Sequence, residues 1–238
     1  MVIKICSLKE IASWEKSDIG FTEEDVKVKV IVPLLLSLGH KITQLYFEYS
    51  DIDIFLKDLP VGCTVIVETK NILERDLDKY FPQLEKYAKQ TNALFAILTN
   101  GEEIRIYAPP YGSPLYTLHR RELADPTKYE ILRKFLSRSN LVTKKSVAHL
   151  YEEITNVIGL LGQRYDDLTE IYQDVMEWLK SERENGKLKK ILLRAKKIGV
   201  LYSMNIEELV IGELDKTNRQ LESLSKLINK LEKLLEDS

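Results

Sequence analysis

Asp53-Ile-Phe-Leu-Lys-Asp-Leu-Pro-Val-Gly-Cys-Thr-Val-Ile-Val-Glu-Thr-Lys70 is the stretch whose reading decides the fold. Asp53 opens an apolar run, Asp58 to Gly62 carries the Pro and Gly of a chain reversal, and Cys63 to Val67 is β-branched enough for a buried strand. Two strands joined by a turn are therefore expected. The second strand ends in charge. Side chains alternate along a strand, so Glu68 and Lys70 are expected on one face and Thr69 on the other, with hairpin pairing bringing Asp53 alongside. Charges at the end of an apolar strand are costly to desolvate unless they are paired or bind an ion. The cluster thus reads either as a salt bridge closing a sheet edge or as an ion-binding site.

Upstream, Thr22 is a good helix N-cap, followed by three acids where the helix dipole favours them, and Gly39 ends the helix after Leu38. Pro33 lies inside it and is expected to bend it. Lys41 to Glu48 reads as a strand leading into Tyr49-Ser-Asp-Ile-Asp53. Asp51 and Asp53 share a face by period two, so either qualifies as the clustered carboxylate. Downstream, Leu77 to Gln90 is an amphipathic helix with Leu84, Tyr87 and Ala88 as its apolar stripe and Gln83 at the edge. Leu94 to Thr99 and Glu103 to Tyr107 read as strands around Asn100-Gly101, a type I′ hairpin signal. Tyr111 to Pro126 reads as loop. The rest is helical, with a dense basic segment of Lys187, Lys189, Lys190, Arg194, Lys196 and Lys197. Leu214, Leu221, Ile228 and Leu235 then recur every seven residues with Leu224 and Leu231 between them, a heptad pattern that suits a homodimer or an antiparallel helix packed on its own chain. An α/β domain over 1–125 and a helical domain over 126–238 are expected.

The chain is 238 residues long with a formal charge of −2, so any polyanion binding must rest on a local surface and not on a global field. Its two cysteines offer neither a disulfide framework nor a zinc-ligand pattern, which fits a reducing cytoplasm. No run is long and apolar enough to span a membrane, so no membrane partner is expected. Phosphate-loop, dinucleotide, nucleophile-elbow and HExxH motifs are missing. His40, His119 and His149 are scattered without metal-ligand spacing.

What remains is an ordered set: Glu23 at a helix start, Asp53 opening a strand, Glu68-Thr-Lys70 closing the next, and Gln83-Leu-Glu-Lys-Tyr87 on the following helix. This order resembles the PD-(D/E)XK nuclease superfamily, most closely the N-terminal nuclease domain of type I restriction endonuclease R subunits. Phe21 to Tyr107 carries the resemblance. Glu23, and not Glu24, stands ten residues before Pro33 as in the family's opening helix, and Leu98-Thr-Asn-Gly101 through Tyr107 resembles its closing hairpin. Asp53 follows Ile52 where the superfamily's name has Pro, and these 238 residues carry no phosphate-binding loop of a DNA-translocating motor, so the resemblance is to the nuclease module alone. The resemblance implies a restriction-endonuclease-like mixed sheet flanked by helices, followed by a helical or coiled-coil tail. It also implies Mg²⁺- or Mn²⁺-dependent cleavage of DNA, with Asp53, Glu68 and the Thr69 carbonyl as ligands. Lys70 would stabilise charge or move a proton, Glu23 would reach the metal through water or hold a second ion, and Gln83 would orient Lys70 or a phosphate. A larger restriction-type complex is an implied partner. The competing expectation is a catalytically silent nuclease fold retained for DNA binding or assembly.

Overall fold

The computed structural model describes residues 7–180 and 206–236. The described chain forms one unit that runs to Leu150 and takes in the closing residues from Lys233, and a second unit from Tyr151 to Glu232. The basic segment from Lys187 to Lys197 lies outside the described residues.

Two short helices, α1 (Leu8–Ser13) and α2 (Lys16–Ile19), precede α3 (Glu23–Val26). Thr22 caps α3 in a reciprocal box with Asp25, as its position before three acids predicts. A π turn over Lys27–Ile31 and α4 (Val32–Ser37) continue the same rod. The bend expected at Pro33 takes this form: Val32 N–H bonds the Lys27 carbonyl five residues back, a widened turn that absorbs the proline's missing donor.

Six strands follow in spatial order β1 (Leu45–Tyr49), β2 (Ile52–Leu56), β3 (Val65–Thr69), β4 (Phe95–Thr99), β5 (Glu103–Tyr107) and β6 (Tyr116–His119). All neighbours are antiparallel except β3 and β4, so the sheet is mixed. The parallel step requires a crossover, and α5 (Phe81–Thr91) supplies it, burying Leu84 and Ala88 against Ile66, Ala96 and Leu98. The two-strand reading of Asp53 to Lys70 holds, with the second strand shifted two residues toward Lys70. The expected strand from Lys41 is shorter, because Ile42–Gln44 is a 3₁₀ turn.

Two local expectations change. At Asn100-Gly101 only Gly101 has positive φ, and Asn100 Oδ1 accepts from the amides of Glu102 and Glu103, so an Asx turn replaces the expected type I′ turn. The two-residue turn with positive φ at both positions is Ser50-Asp51, between Tyr49 and Ile52. The loop expected over Tyr111 to Pro126 contains β6, an edge strand of four residues in which only Leu118 is buried. So short an alternation is invisible beside Pro, Gly and Ser.

Two helices follow the sheet, α6 (Pro126–Leu136), whose Phe135 meets Phe95 of β4 edge-on at 5.7 Å, and α7 (Arg138–Val142). His40 is buried against α6, its Nε2 2.9 Å from the Leu136 carbonyl, which makes Nε2 the protonated nitrogen and leaves Nδ1 without a partner. Desolvation lowers its proton affinity from the ordinary 6.5, although the Leu136 carbonyl opposes this. The unfolded chain therefore takes up a proton that the folded chain refuses, and stability is lost as pH falls through 6.5 toward the lowered folded value. His40→Gln keeps a donor for Leu136 and is expected to flatten that acid-side decline in melting temperature.

The long helices α8 (Lys145–Lys180) and α9 (Ile206–Glu236) build the second unit. Within it Arg164 Nη2 bonds Glu213 Oε2 at 2.6 Å and Tyr151 Oη bonds Glu232 Oε1 at 3.1 Å. Val210, Thr217, Leu224 and Leu231 are buried, whereas Leu214, Leu221 and Ile228 between them are half-buried. The intervening heptad positions Leu224 and Leu231 are thus covered within one chain. No helix of the described residues is long and apolar enough to cross a membrane.

Candidate active site

The β2–β3 ladder pairs Leu56 with Val65, Phe55 with Ile66 and Ile54 with Val67, and there it ends. Beyond that point a carboxylate takes the place of backbone pairing. Asp53 Oδ2 accepts from Thr69 N at 2.6 Å and from Thr69 Oγ1 at 2.8 Å. Charge-assisted bonds of this kind fix the carboxylate's position at a strand end. Strand alternation predicts that the Thr69 side chain turns away from the acids; instead its hydroxyl and amide hold Asp53. The choice between Asp51 and Asp53 is decided by the turn, which places Asp51 at positive φ and in solvent while Asp53 is buried.

Glu68 and Lys70 lie together as period two predicts, with Lys70 Nζ 2.8 Å from Glu68 Oε1. Both are buried. Glu68 Oε2 is buried without a hydrogen-bond partner, the most costly feature of the site. Glu23 Oε1 approaches Lys70 Nζ to 3.9 Å from the start of α3, and the Tyr80 ring lies 4.9 Å from the same ammonium. Asp53, Glu68, Lys70 and Glu23 are therefore brought together. Gln83 is not: it is exposed on α5, and its amide donates to Tyr87 Oη at 3.2 Å.

Two residues of the cluster escape the sequence pattern. Lys27 is buried beside Asp53 Oδ1 at 3.0 Å and Glu24 Oε2 at 3.2 Å, and it also bonds Glu48 Oε1. Its signal was its place on the apolar stripe with Ile31 and Leu34, where a lysine has no solvent to reach. Glu48 carries no such signal. Its position near Asp53 follows from the β1–β2 register, which a one-residue slip would change.

Burial pushes the Glu68 carboxyl up to about 7; Lys70 pulls it down, but repulsion from Asp53 and Glu23 adds to the rise. At Lys70 desolvation acts downward, and Glu68, Glu23 and Asp53 together raise it above its ordinary range. These directions are consistent: one carboxylate shares a single ammonium with two repelling acids, whereas one ammonium faces three carboxylates. For Lys27 desolvation again acts downward, and Glu48 and Asp53 outweigh it, so this ammonium too is raised.

Among the described residues no three His, Cys, Asp or Glu side chains are placed to hold a metal ion. What is present is a two-carboxylate donor set. Asp53 and Glu68 offer hard oxygens of the kind Mg²⁺ or Mn²⁺ takes; Glu68 Oε2 is buried without a partner, whereas both Asp53 oxygens are engaged, Oδ2 by Thr69 and Oδ1 by Lys27.

Glu23 and Glu24 are neighbours with different duties, since Glu23 faces Lys70 while Glu24 faces Lys27. On the metal-dependent cleavage that the resemblance implies, Glu23→Ala is expected to lower turnover about tenfold, in the range for residues that act through a metal's outer shell, and Glu24→Ala by less. Steady-state cleavage rates of the two variants at matched folded fraction would check this, and equal losses would return both acids to helix capping.

The chain matches no protein-family model, no curated protein and no solved structure.

Proposed function

We propose that this chain is a metal-dependent nuclease that hydrolyses phosphodiester bonds in DNA, on a restriction-endonuclease-like core. The observation that carries the reading is the convergence of Asp53, Glu68 and Lys70 where β2 and β3 part, with Glu68 Oε2 buried and unpartnered. Phosphodiester hydrolysis needs an activated water, relief of charge on the phosphoryl oxygens and a stabilised leaving oxygen. Asp53, Glu68 and the Thr69 carbonyl would hold a divalent cation, whose chemistry when bound would be Lewis acidity and a more acidic water.

The chain's own residues do the rest. Thr69 fixes the Asp53 carboxylate through two bonds, so that acid needs no reorganisation on binding substrate. Lys70, raised and therefore cationic, is suited to stabilise negative charge developing on phosphorus oxygens; as a proton acceptor it is ill suited. Glu23, exposed beside it, faces the ammonium at 3.9 Å. Glu68 must lose its proton before it can act as a ligand, so metal binding releases a proton there and strengthens as pH rises.

One observation favours the second reading, a silent nuclease fold serving DNA binding or assembly. Both Asp53 oxygens are already engaged, Oδ2 by Thr69 and Oδ1 by Lys27, so the cluster neutralises much of itself. Incubation of the full chain with circular and linear DNA, with Mg²⁺, with Mn²⁺ and with chelator, separates the two. Metal-dependent cleavage supports the enzyme; binding without cleavage supports the module. A homodimer through the helical tail and a larger restriction-type complex stand as further proposals. Sedimentation of the full chain tests the first.

A further inference from the structure

Among the described residues β1 is an edge strand, and such an edge is ordinarily blunted by charge or covered. Here it carries rings: Tyr46, Phe47 and Tyr49 are 44%, 42% and 48% exposed. Alternation would put Tyr46 and Tyr49 on opposite sides, but Glu48 between them takes φ +54°, a rare conformation away from glycine, and Tyr49 swings round to Tyr46. Their rings stack with centroids 6.1 Å apart and 22° between planes. Tyr49 also lies 5.0 Å from Phe55, the residue that pairs with Tyr46 across the hairpin, and Lys57 Nζ sits 3.9 Å from the centroid of the Tyr46 ring. The strip leads to the candidate site. Phe55 and Asp53 share a side of β2 by period two, and Phe55 pairs with Ile66, two residues before Glu68. Phe55 also packs on the same apolar cluster as Tyr80, whose ring faces the Lys70 ammonium.

We propose that Tyr46, Tyr49 and Phe55, with Lys57 beside them, form a stacking platform for the bases of an unpaired DNA strand, so that single-stranded DNA is the substrate class of this site. The proposal rests on the DNA-cleaving reading above and names what it acts on. Inside a duplex each base is covered on both faces by its neighbours, and exposed rings gain nothing from it. An unpaired strand offers the π-face of every base, whatever the sequence. Lys57 supplies the complementary charge, since an ammonium at the ring meets the phosphate of the nucleotide stacked there. The one acid of β1, Glu48, is bonded by Lys27 and so adds little repulsion. Stacking also suits a chain of net charge −2, because it carries affinity without a global positive field.

The test is to titrate a fluorescently labelled oligothymidylate, alone and annealed to its complement, with the full chain in chelator, where no metal-dependent cleavage competes. The unpaired strand is expected to bind more tightly. Tyr46→Leu combined with Tyr49→Leu keeps apolar bulk but removes two rings, and is expected to weaken that binding about 30-fold or more. Tyr46→Phe combined with Tyr49→Phe keeps the rings and is expected to bind as the parent does. Lys57→Gln should lower the slope of log affinity against log salt by about 0.7. Undiminished binding by the leucine pair, or a duplex bound as tightly as the single strand, overturns the platform. So does a dimer in sedimentation that the leucine pair alone dissociates, which would make the strip an interface between two copies of the chain. Should circular dichroism show the leucine pair unfolded, photocrosslinking of an iodouracil-bearing strand to the parent decides: crosslinks at Tyr46, Tyr49 or Phe55 support the proposal, and crosslinks only elsewhere, or none, overturn it. Metal-dependent cleavage by the parent together with undiminished binding by the leucine pair removes the platform and leaves the nuclease. Ring-dependent binding without cleavage under either metal removes the nuclease and leaves the platform.

Discussion

Glu68→Gln is expected to unfold at higher urea than the parent at neutral pH in the absence of divalent ions, while losing DNA cleavage. Gln mimics the protonated carboxyl, keeping an acceptor for Lys70 without the charge. The folded carboxyl titrates at about 7 against an ordinary 4.5, because it is buried among other acids. Below 4.5 both states of the parent hold the proton and burial of the carboxyl carries no ionisation cost. Between 4.5 and about 7 the unfolded chain ionises first, so the parent loses stability as pH rises, and above that the loss is complete. The full difference is about 3 kcal/mol in the variant's favour, since each tenfold change in proton affinity is worth about 1.4 kcal/mol. Urea unfolding of both proteins across that window checks it, and a gap that does not change with pH would mean the carboxylate is well solvated when folded. Mg²⁺ or Mn²⁺ should narrow the gap, since only the ionised parent gains a ligand bond.

Asp53→Asn and Lys70→Ala carry the second large expectation, a fall in cleavage rate of about 10²- to 10³-fold, or roughly 3 to 4 kcal/mol of barrier. The two variants should fail differently. Asn at 53 keeps an oxygen for the Thr69 amide but loses the charge that offsets Lys27, so metal affinity falls along with rate. Ala at 70 leaves Glu68 with no bonded partner at either oxygen, so its carboxyl rises further and metal binding moves to higher pH. Cleavage rates at saturating Mn²⁺, measured beside Mn²⁺ affinity, separate the two. Unchanged rates in either variant would remove that residue from the site.

The central hairpin is legible in the sequence because its signals are local. An apolar run, a Pro-Gly reversal and a β-branched run specify two strands whatever surrounds them, and period two puts Glu68 and Lys70 together. Helix starts are legible for the same reason, as Thr22 and its box with Asp25 show. What escapes depends on register and three-dimensional closure. Glu48 reaches Lys27 beside Asp53 only through β1–β2 pairing, which the positive-φ turn at Ser50-Asp51 sets, and Lys27 reaches both acids through the π turn before Pro33. Alternation misplaces the Thr69 side chain because it describes a regular strand, and the ladder has already ended where Thr69 meets Asp53. Gln83 has the sequence order of a site residue but an exposed place on α5, one amide among a helix surface.

Conversion of supercoiled plasmid by the purified full chain, compared with Glu68→Gln in the same buffer, puts the metal-dependent site itself at risk. Nicked or linear product is expected with Mg²⁺ or Mn²⁺, none with chelator, and a loss of about 10²-fold or more in the variant. Cleavage that persists in chelator, or that Glu68→Gln carries out at the parent's rate, would contradict a metal-dependent nuclease built on Asp53, Glu68 and Lys70.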